Sequence, residues 1–320
     1  MNLLTTRNII RGGAVALACA AAPAAFAATV YVDANLGGNC GSTFDPATRV
    51  CSGGSARAFN TLSGGVGAAQ AGDIVDVRAG SYRERLVPPR SGSQSAPITI
   101  RGHQAETVTI TGTSDVAVFL QGRSWLVIEG LTVDNVGGWA RLEDSSNNIL
   151  RNNRFTRATA QGTTGGIKLV RATGNRIENN TIQDGNDNIV IQESDRNVIA
   201  GNTVNEGRHS LFSLRCGNYN VIRGNTFRNT QQKIGEIYDC EGTSDAPVKL
   251  DATKRNLVEN NRFTWTLAAS EDYRYNGIQY SGQQGIVRRN DFYDNQGGAL
   301  NFQVYSDEAL HNYGHRVYNN

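Results

Sequence analysis

The chain has 320 residues, 19% of them charged and 8% aromatic, with 36 glycines and a formal net charge of +2. Residues 1 to 27 have the form of a secretory signal: Arg7 and Arg11 precede the apolar run Gly12 to Ala22, and Ala25-Phe26-Ala27 is a small-x-small cleavage site. Removing the two arginines takes 31 basic residues to 29, against 29 acidic ones, a balance that excludes the concentrated basic surface that nucleic-acid binding requires.

Beyond residue 27 no stretch approaches the eighteen or so apolar residues of a membrane span. An exported chain, periplasmic or secreted, is expected. Cys19 lacks the leucine three residues upstream that a lipid-attachment signal carries, and it leaves with the signal. Four cysteines remain, an even number suited to two disulfides in an oxidising compartment. Cys40 and Cys51 bracket a short loop and are expected to pair, and Cys216 with Cys240 would clip a second one; no pair has the C-x-x-C spacing of a metal site.

In chain order, residues 28–73 form a cap region, in which 56–73 ("ARAFNTLSGGVGAAQAGD") reads as the best helical segment. A helix there would plug one end of a hydrophobic bore. Next come "GDIVDVRAGSYRE", "APITIRG", "VTITG" and "WLVIEGLTVDNV", which alternate in side-chain character as strands do. From residue 152 an Asn motif recurs, with its second residue at Asn153, Asn180, Asn202, Asn225, Asn261, Asn290 and Asn320, so that successive gaps are 27, 22, 23, 36, 29 and 30 residues. A minimum period near 22 with longer insertions is a solenoid signature.

The intervening segments "GIKLV", "NIVIQ" and "SLFSL" are strand-like, three per period with turns between them. The expected fold is therefore all-β: a right-handed parallel β-helix with an Asn ladder and an N-terminal helical cap, in one domain of coils over 74–320. Asn suits the corner because it tolerates left-handed backbone and its amide both donates and accepts. The Phe, Ile or Val two residues later should point inward. The last motif ends at the final residue, which leads us to expect a frayed or partner-covered last coil, or a longer parent chain. Oligomeric state is not legible.

Each ladder Asn sets the register of its own coil. Twelve and ten residues before successive Asn positions lie Arg141 and Glu143, Lys168 and Val170, Val190 and Gln192, Ser213 and Arg215, and Lys249 and Asp251, with Gln279 and Asn301 following after a one-residue slip. One outward face should carry these charges. Extra residues at 228–247, 264–276 and 294–298 would build walls beside it, and Trp265 and Tyr273 on such a wall could stack on sugar rings.

Most of the chain past residue 27 resembles the pectate-lyase-like superfamily of secreted β-helix proteins, and 72–102, "GDIVDVRAGSYRERLVPPRSGSQSAPITIRG", resembles the first coils of the chondroitinase B and alginate lyase family. The resemblance implies elimination from an acidic, uronate-containing polysaccharide, which needs a cation at the carboxylate, a base and an acid. "LRCGNYNVIRGNTF" resembles the family segment that carries a catalytic Arg, which implies that role for Arg215. Lys249 and Lys168 are candidates for the base or for carboxylate binding, and His209 is the histidine best placed to join them. Arg141, Glu143, Gln192, Asp251 and Gln279 would line the groove.

The family also has a catalytic Lys on the coil before its Arg and a calcium site; here that coil offers Gln192 and Glu193. Calcium ligands would have to come from Glu193, Glu236, Glu241 or Asp251. A polygalacturonase-type hydrolase is disfavoured because its Asp pair and Gly-His-Gly segment are missing. A uronan epimerase, or a non-catalytic glycan-binding adhesin or envelope scaffold, remains an alternative. A scaffold should spread its charges over all faces, whereas a catalytic groove should gather them.

Overall fold

The recurring Asn residues build the corners of the molecule, and the apolar residues after them fill its centre. The computed structural model describes residues 27–238, 253–266, 277–294, 297–302 and 312–320. Three short strands per coil stack in parallel on those of the next coil, forming a thirteen-stranded and a sixteen-stranded sheet among the described residues. The sixteen-stranded sheet has two faces joined through the long strand Thr203–Arg215. "GIKLV", "NIVIQ" and "SLFSL" fall in strands Ile167–Val170, Ile189–Gln192 and Thr203–Arg215. The upstream segments supply strands such as Ile74–Val77, Ile98–Gly102 and Thr132–Val136.

The ladder runs as expected, with one difference in detail. Each ladder Asn from Asn153 to Asn290 is buried, and its amide donates both to the next Asn and to a main-chain carbonyl: Asn180 Nδ2 reaches Asn202 Oδ1 at 3.0 Å and Leu150 O at 2.9 Å. The left-handed residue is the one before it: Asn152, Asn179, Gly201, Gly224 and Asn260 have φ between 53° and 66°. The first position of the motif is therefore mostly Asn or Gly, which accept this conformation cheaply, with Arg289 as an exception at φ 54°, while the second carries the hydrogen bonds. A second ladder, through Asn148, Asn175, Asn197, Asn220 and Asn256, lies five residues earlier and uses the same geometry.

Two residues after each Asn, Phe155, Ile182, Val204, Phe227 and Phe263 are buried in register with one another. The Phe227 and Phe263 rings stack at 5.4 Å. Fully burying such a side chain contributes roughly 1.5–3 kcal/mol, repeated at every coil.

The N-terminal helix is shorter than 56–73 suggests. Ala56–Phe59 is a strand paired with Thr29–Val32, and only Leu62–Ala68 is helical. The β-type residues Phe59 and Ala58 gain sheet partners, and three glycines weaken the helix that follows. Thr61 caps this helix through Gly64 N, while the Glu84 carboxylate accepts from Leu62 N and Ser63 N. Leu62 and Val66 close the end of the core. Cys40 and Cys51 are disulfide-bonded with Cα atoms 5.3 Å apart. Cys216 is also disulfide-bonded, and Cys240 lies outside the described residues. No helix among the described residues is long and apolar enough to cross a membrane.

Candidate functional site

The stacked face strands place two outward columns side by side. In one, Phe119, Arg141, Lys168, Val190, Ser213, Glu236, Gln279 and Asn301 lie in direct register. In the other, Glu143, Val170, Gln192, Arg215 and Tyr238 do so. Arg141, Glu143, Lys168, Gln192, Arg215 and Gln279 therefore share a face, as their spacing suggests.

Lys249 and Asp251 do not hold the place their spacing suggests. Strand Lys233–Tyr238 pairs on one side with Thr203–Arg215 and on the other with Ile278–Tyr280, so Glu236 and Tyr238 occupy that coil's positions. Of what reads as an insertion at 228–247, residues 228–230 and 233–238 belong to the two strands Thr226–Thr230 and Lys233–Tyr238, and 239–247 lie outside the described residues. Lys249, Asp251, Glu241 and Tyr273 lie outside the described residues, as does the side chain of Trp265.

The thirteen-stranded sheet provides a control for reading the charges. Its outward column runs Asp76, Arg101, Glu129, Arg151, Glu178, Ala200, Arg223, Glu259, Arg288. Signs alternate there, and ion pairs of 2.6–2.9 Å form at Arg151–Glu129, Arg288–Glu259 and Arg101–Asp76. On the candidate face Arg141 instead lies directly beside Lys168, an arrangement that costs stability. Arg141 Nε lies 2.9 Å from Glu143, an ion pair without hydrogen-bond alignment, and Arg171 also reaches Glu143 at 2.8 Å. Burial, then the Arg141 charge, pushes the Lys168 ammonium below its ordinary pKa. Arg215 sits over the Tyr238 ring at 5.9 Å, with Nε buried and lacking a hydrogen-bond partner among the described residues.

The histidine of this region comes from a bulge. Strand Thr181–Asp187 pairs Gly185 with Gly207 but Asp187 with Ser210, so Thr203–Arg215 carries one extra residue at 207–210. Bulges re-aim side chains beside functional sites, and here His209 Nδ1 meets Asp187 Oδ1 at 2.7 Å. Asp187 also accepts from Ser210 Oγ at 2.7 Å and Ser210 N at 3.2 Å. Burial alone would raise the Asp187 pKa, but the bonds from His209 and Ser210 outweigh it and hold the carboxyl below its usual range. Ionised Asp187 is acceptor-only, so Nδ1 carries its proton and Nε2 is the nitrogen left free to take one. The Asp187 bond, supported by the Glu236 charge, raises the His209 pKa. Gly166 lets the corner close, since a Cβ there would meet Asp187 O at 2.0 Å.

On the other side of the ring, Glu236 Oε1 lies 3.8 Å from His209 Nε2 and accepts from Lys233 Nζ at 2.6 Å. Asp187, Ser210 and Lys233 are absent from the sequence-level site. One signal could have found the first two: from ladder Asn to face residue is 12 positions for Asn180 to Gln192 and 13 for Asn202 to Arg215. That extra residue is the bulge.

The metal candidates do not assemble. Among the described residues no group of three or more His, Cys, Asp or Glu side chains is gathered to hold a metal ion. Glu193 ends its strand with φ 49° beside Gln192, and Glu236 is engaged by Lys233. Glu193 and Glu236 alone do not make a calcium site, and the other candidates, Glu241 and Asp251, lie outside the described residues.

The sequence pattern of the family described as the right-handed β-helix region matches residues 116–246. The uncharacterized protein YwoF of Bacillus subtilis (strain 168) is 27% identical over 290 residues, which cover 82% of this chain and 58% of that protein. The chain thus spans under two thirds of that relative's length. An alginate lyase from Paenibacillus sp. str. FPU-7 superposes with TM-score 0.52 at 14% identity, covering 76% of this chain and 95% of the lyase. Pectate lyase Pel9A superposes with TM-score 0.50 at 14% identity, covering 84% and 64%. With stacked three-strand coils, buried Asn ladders and these likenesses, the chain is a parallel β-helix protein with the fold of the pectate-lyase-like superfamily.

Proposed function

We propose that this protein is an exported polysaccharide lyase that cleaves a uronate-containing polysaccharide by β-elimination on the face bearing Arg141, Lys168, His209 and Arg215. The observation that carries the reading is the contrast between the two faces: one neutralises its charges by alternation, whereas the other sets Arg141 beside Lys168, with Asp187, the partner of His209, near enough to act on the Lys168 ammonium. Like charges kept together at a cost in stability suit an anionic ligand. The polysaccharide lyases with this fold, and the Cys40–Cys51 disulfide with its implied oxidising compartment, are in keeping with it.

In this reading Arg215 neutralises the uronate carboxylate and so acidifies the C–H beside it, while Arg141, three coils away, meets another sugar of the same polymer. His209, oriented by Asp187, takes that proton at Nε2; the electron pair forms the carbon–carbon double bond and the bond to the glycosidic oxygen breaks. Lys168 gives that oxygen a proton. Its depressed pKa makes it a better acid than an ordinary lysine, and the raised pKa of His209 makes it a better base than an ordinary histidine, which brings both toward the working pH.

The test is to incubate the protein with alginate, pectate and chondroitin sulfate, with and without calcium, and follow the ultraviolet absorbance of unsaturated uronate ends. A rise that Arg215→Ala, Lys168→Ala or His209→Ala removes is expected. Retained binding with no rise on any polymer would overturn the lyase reading in favour of a glycan-binding protein, once epimerisation had been checked by product analysis.

A further inference from the structure

We propose that Lys233 is the built-in counter-ion of this site, a positioning residue that fixes the buried Glu236 carboxylate opposite His209 and so occupies a carboxylate that could otherwise serve as a calcium ligand. The inference concerns the face described above but rests on its ion-pair geometry. It can therefore be tested without any measured lyase activity.

Glu236 is 1% exposed, although it points outward from the sheet in register between Ser213 and Gln279. A carboxylate removed from water this completely stays ionised only beside a counter-charge. Lys233 opens the same strand at the corner, and its long stem brings Nζ to 2.6 Å from Glu236 Oε1. The Lys233 side chain is itself only 20% exposed. The same oxygen is the one that faces His209 Nε2 at 3.8 Å.

The donor set around this carboxylate is therefore an ammonium and an imidazole. Calcium requires six to eight oxygen ligands, whereas both groups present here are nitrogen groups and the ammonium's charge would repel a divalent cation. An ammonium is compact and strongly charged but has no coordination number to satisfy. It neutralises Glu236 on one side and leaves the carboxylate's field acting on His209 on the other. When His209 Nε2 carries a proton, that field stabilises the imidazolium, and Lys233 keeps the carboxylate from collapsing onto the ring.

The experiment uses the full exported chain, its Lys233→Met and Glu236→Gln variants and the double variant. Binding is read by terbium luminescence and by calorimetric titration with calcium chloride, and stability by thermal unfolding in calcium or in chelator. For the wild type, the same unfolding midpoint is expected in calcium and in chelator. Lys233→Met should lower the midpoint because it strands a buried charge, and adding Glu236→Gln should restore most of the loss. Lanthanide or calcium binding that Glu236→Gln leaves intact belongs to another site and agrees with the proposal. Stoichiometric binding that stabilises the wild type and disappears in Glu236→Gln makes Glu236 a metal ligand and overturns it. A Lys233→Met protein as stable as wild type, or a double variant no better than Lys233→Met alone, overturns it as well.

Discussion

Replacing Asn202 with alanine tests the ladder at its centre. The Asn202 side chain accepts from Asn180 N at 2.9 Å and Asn180 Nδ2 at 3.0 Å, and donates to Ile177 O at 2.8 Å and Asn225 Oδ1 at 3.0 Å. Alanine removes all four bonds. Asn180 Nδ2 keeps Leu150 O and Asn225 Oδ1 keeps Asn202 N, but Asn180 N loses the only acceptor described for it, at a residue 1% exposed. An orphaned buried donor costs roughly 1–3 kcal/mol and each of the three further lost bonds about 1 kcal/mol, so the expected loss is roughly 4–6 kcal/mol. Equilibrium unfolding in guanidinium, followed by circular dichroism, measures it. A loss below about 1 kcal/mol, the range of surface substitutions, would show that water enters the corner and replaces the amide, and the account of the ladder would fail.

Other expectations follow from the same geometry. The rate of uronate elimination should follow a bell in pH, rising as His209 loses its proton above the ordinary 6.5 and falling as Lys168 loses its own below the ordinary 10.5; a single ionisation across that span would remove one of the two assigned roles. The raised His209 pKa adds stability that is complete below 6.5 and fades as pH rises through the folded value, so His209→Gln should flatten the stability profile on that side. Glu106 behaves oppositely: hydrogen bonds from Arg78 hold it down at about 2, so its contribution is present above 4.5 and fades as pH falls toward 2. Acid titration of Glu106→Gln should lack that component. Deleting Arg208 should shorten the bulged coil to 22 residues, break the His209–Asp187 contact and abolish elimination while the circular dichroism of the sheets survives; retained activity would argue against the bulge.

The face was legible wherever the interval between face strand and ladder Asn is constant. Glu143, Val170, Gln192 and Arg215 each precede their Asn by ten residues, and the structure places all four in one column. Tyr238 precedes Asn261 by 23, because residues 239–252 fall inside that interval, and counting back therefore landed on Lys249 and Asp251. His209 could be suspected from its position before Arg215. Its partner Asp187 belongs to the previous coil and becomes visible only when the coils are counted in both directions.

The sequence alone determined the solenoid. Its period, its paired Asn corners and its inward apolar residues are local and repeated, and stacking identical units is the one way such a chain buries its apolar side chains while satisfying its amides. Tertiary structure decided the chemistry. Asp187, His209 and Glu236 are 22 and 27 positions apart in sequence order, and they meet because parallel stacking turns one full coil into a single strand spacing and a one-residue bulge rotates an imidazole into the gap. Whether Arg, Lys and Glu residues alternate in sign along a column, or two cations fall side by side as Arg141 and Lys168 do, is likewise a property of register, decided by which neighbour the coil brings beside them.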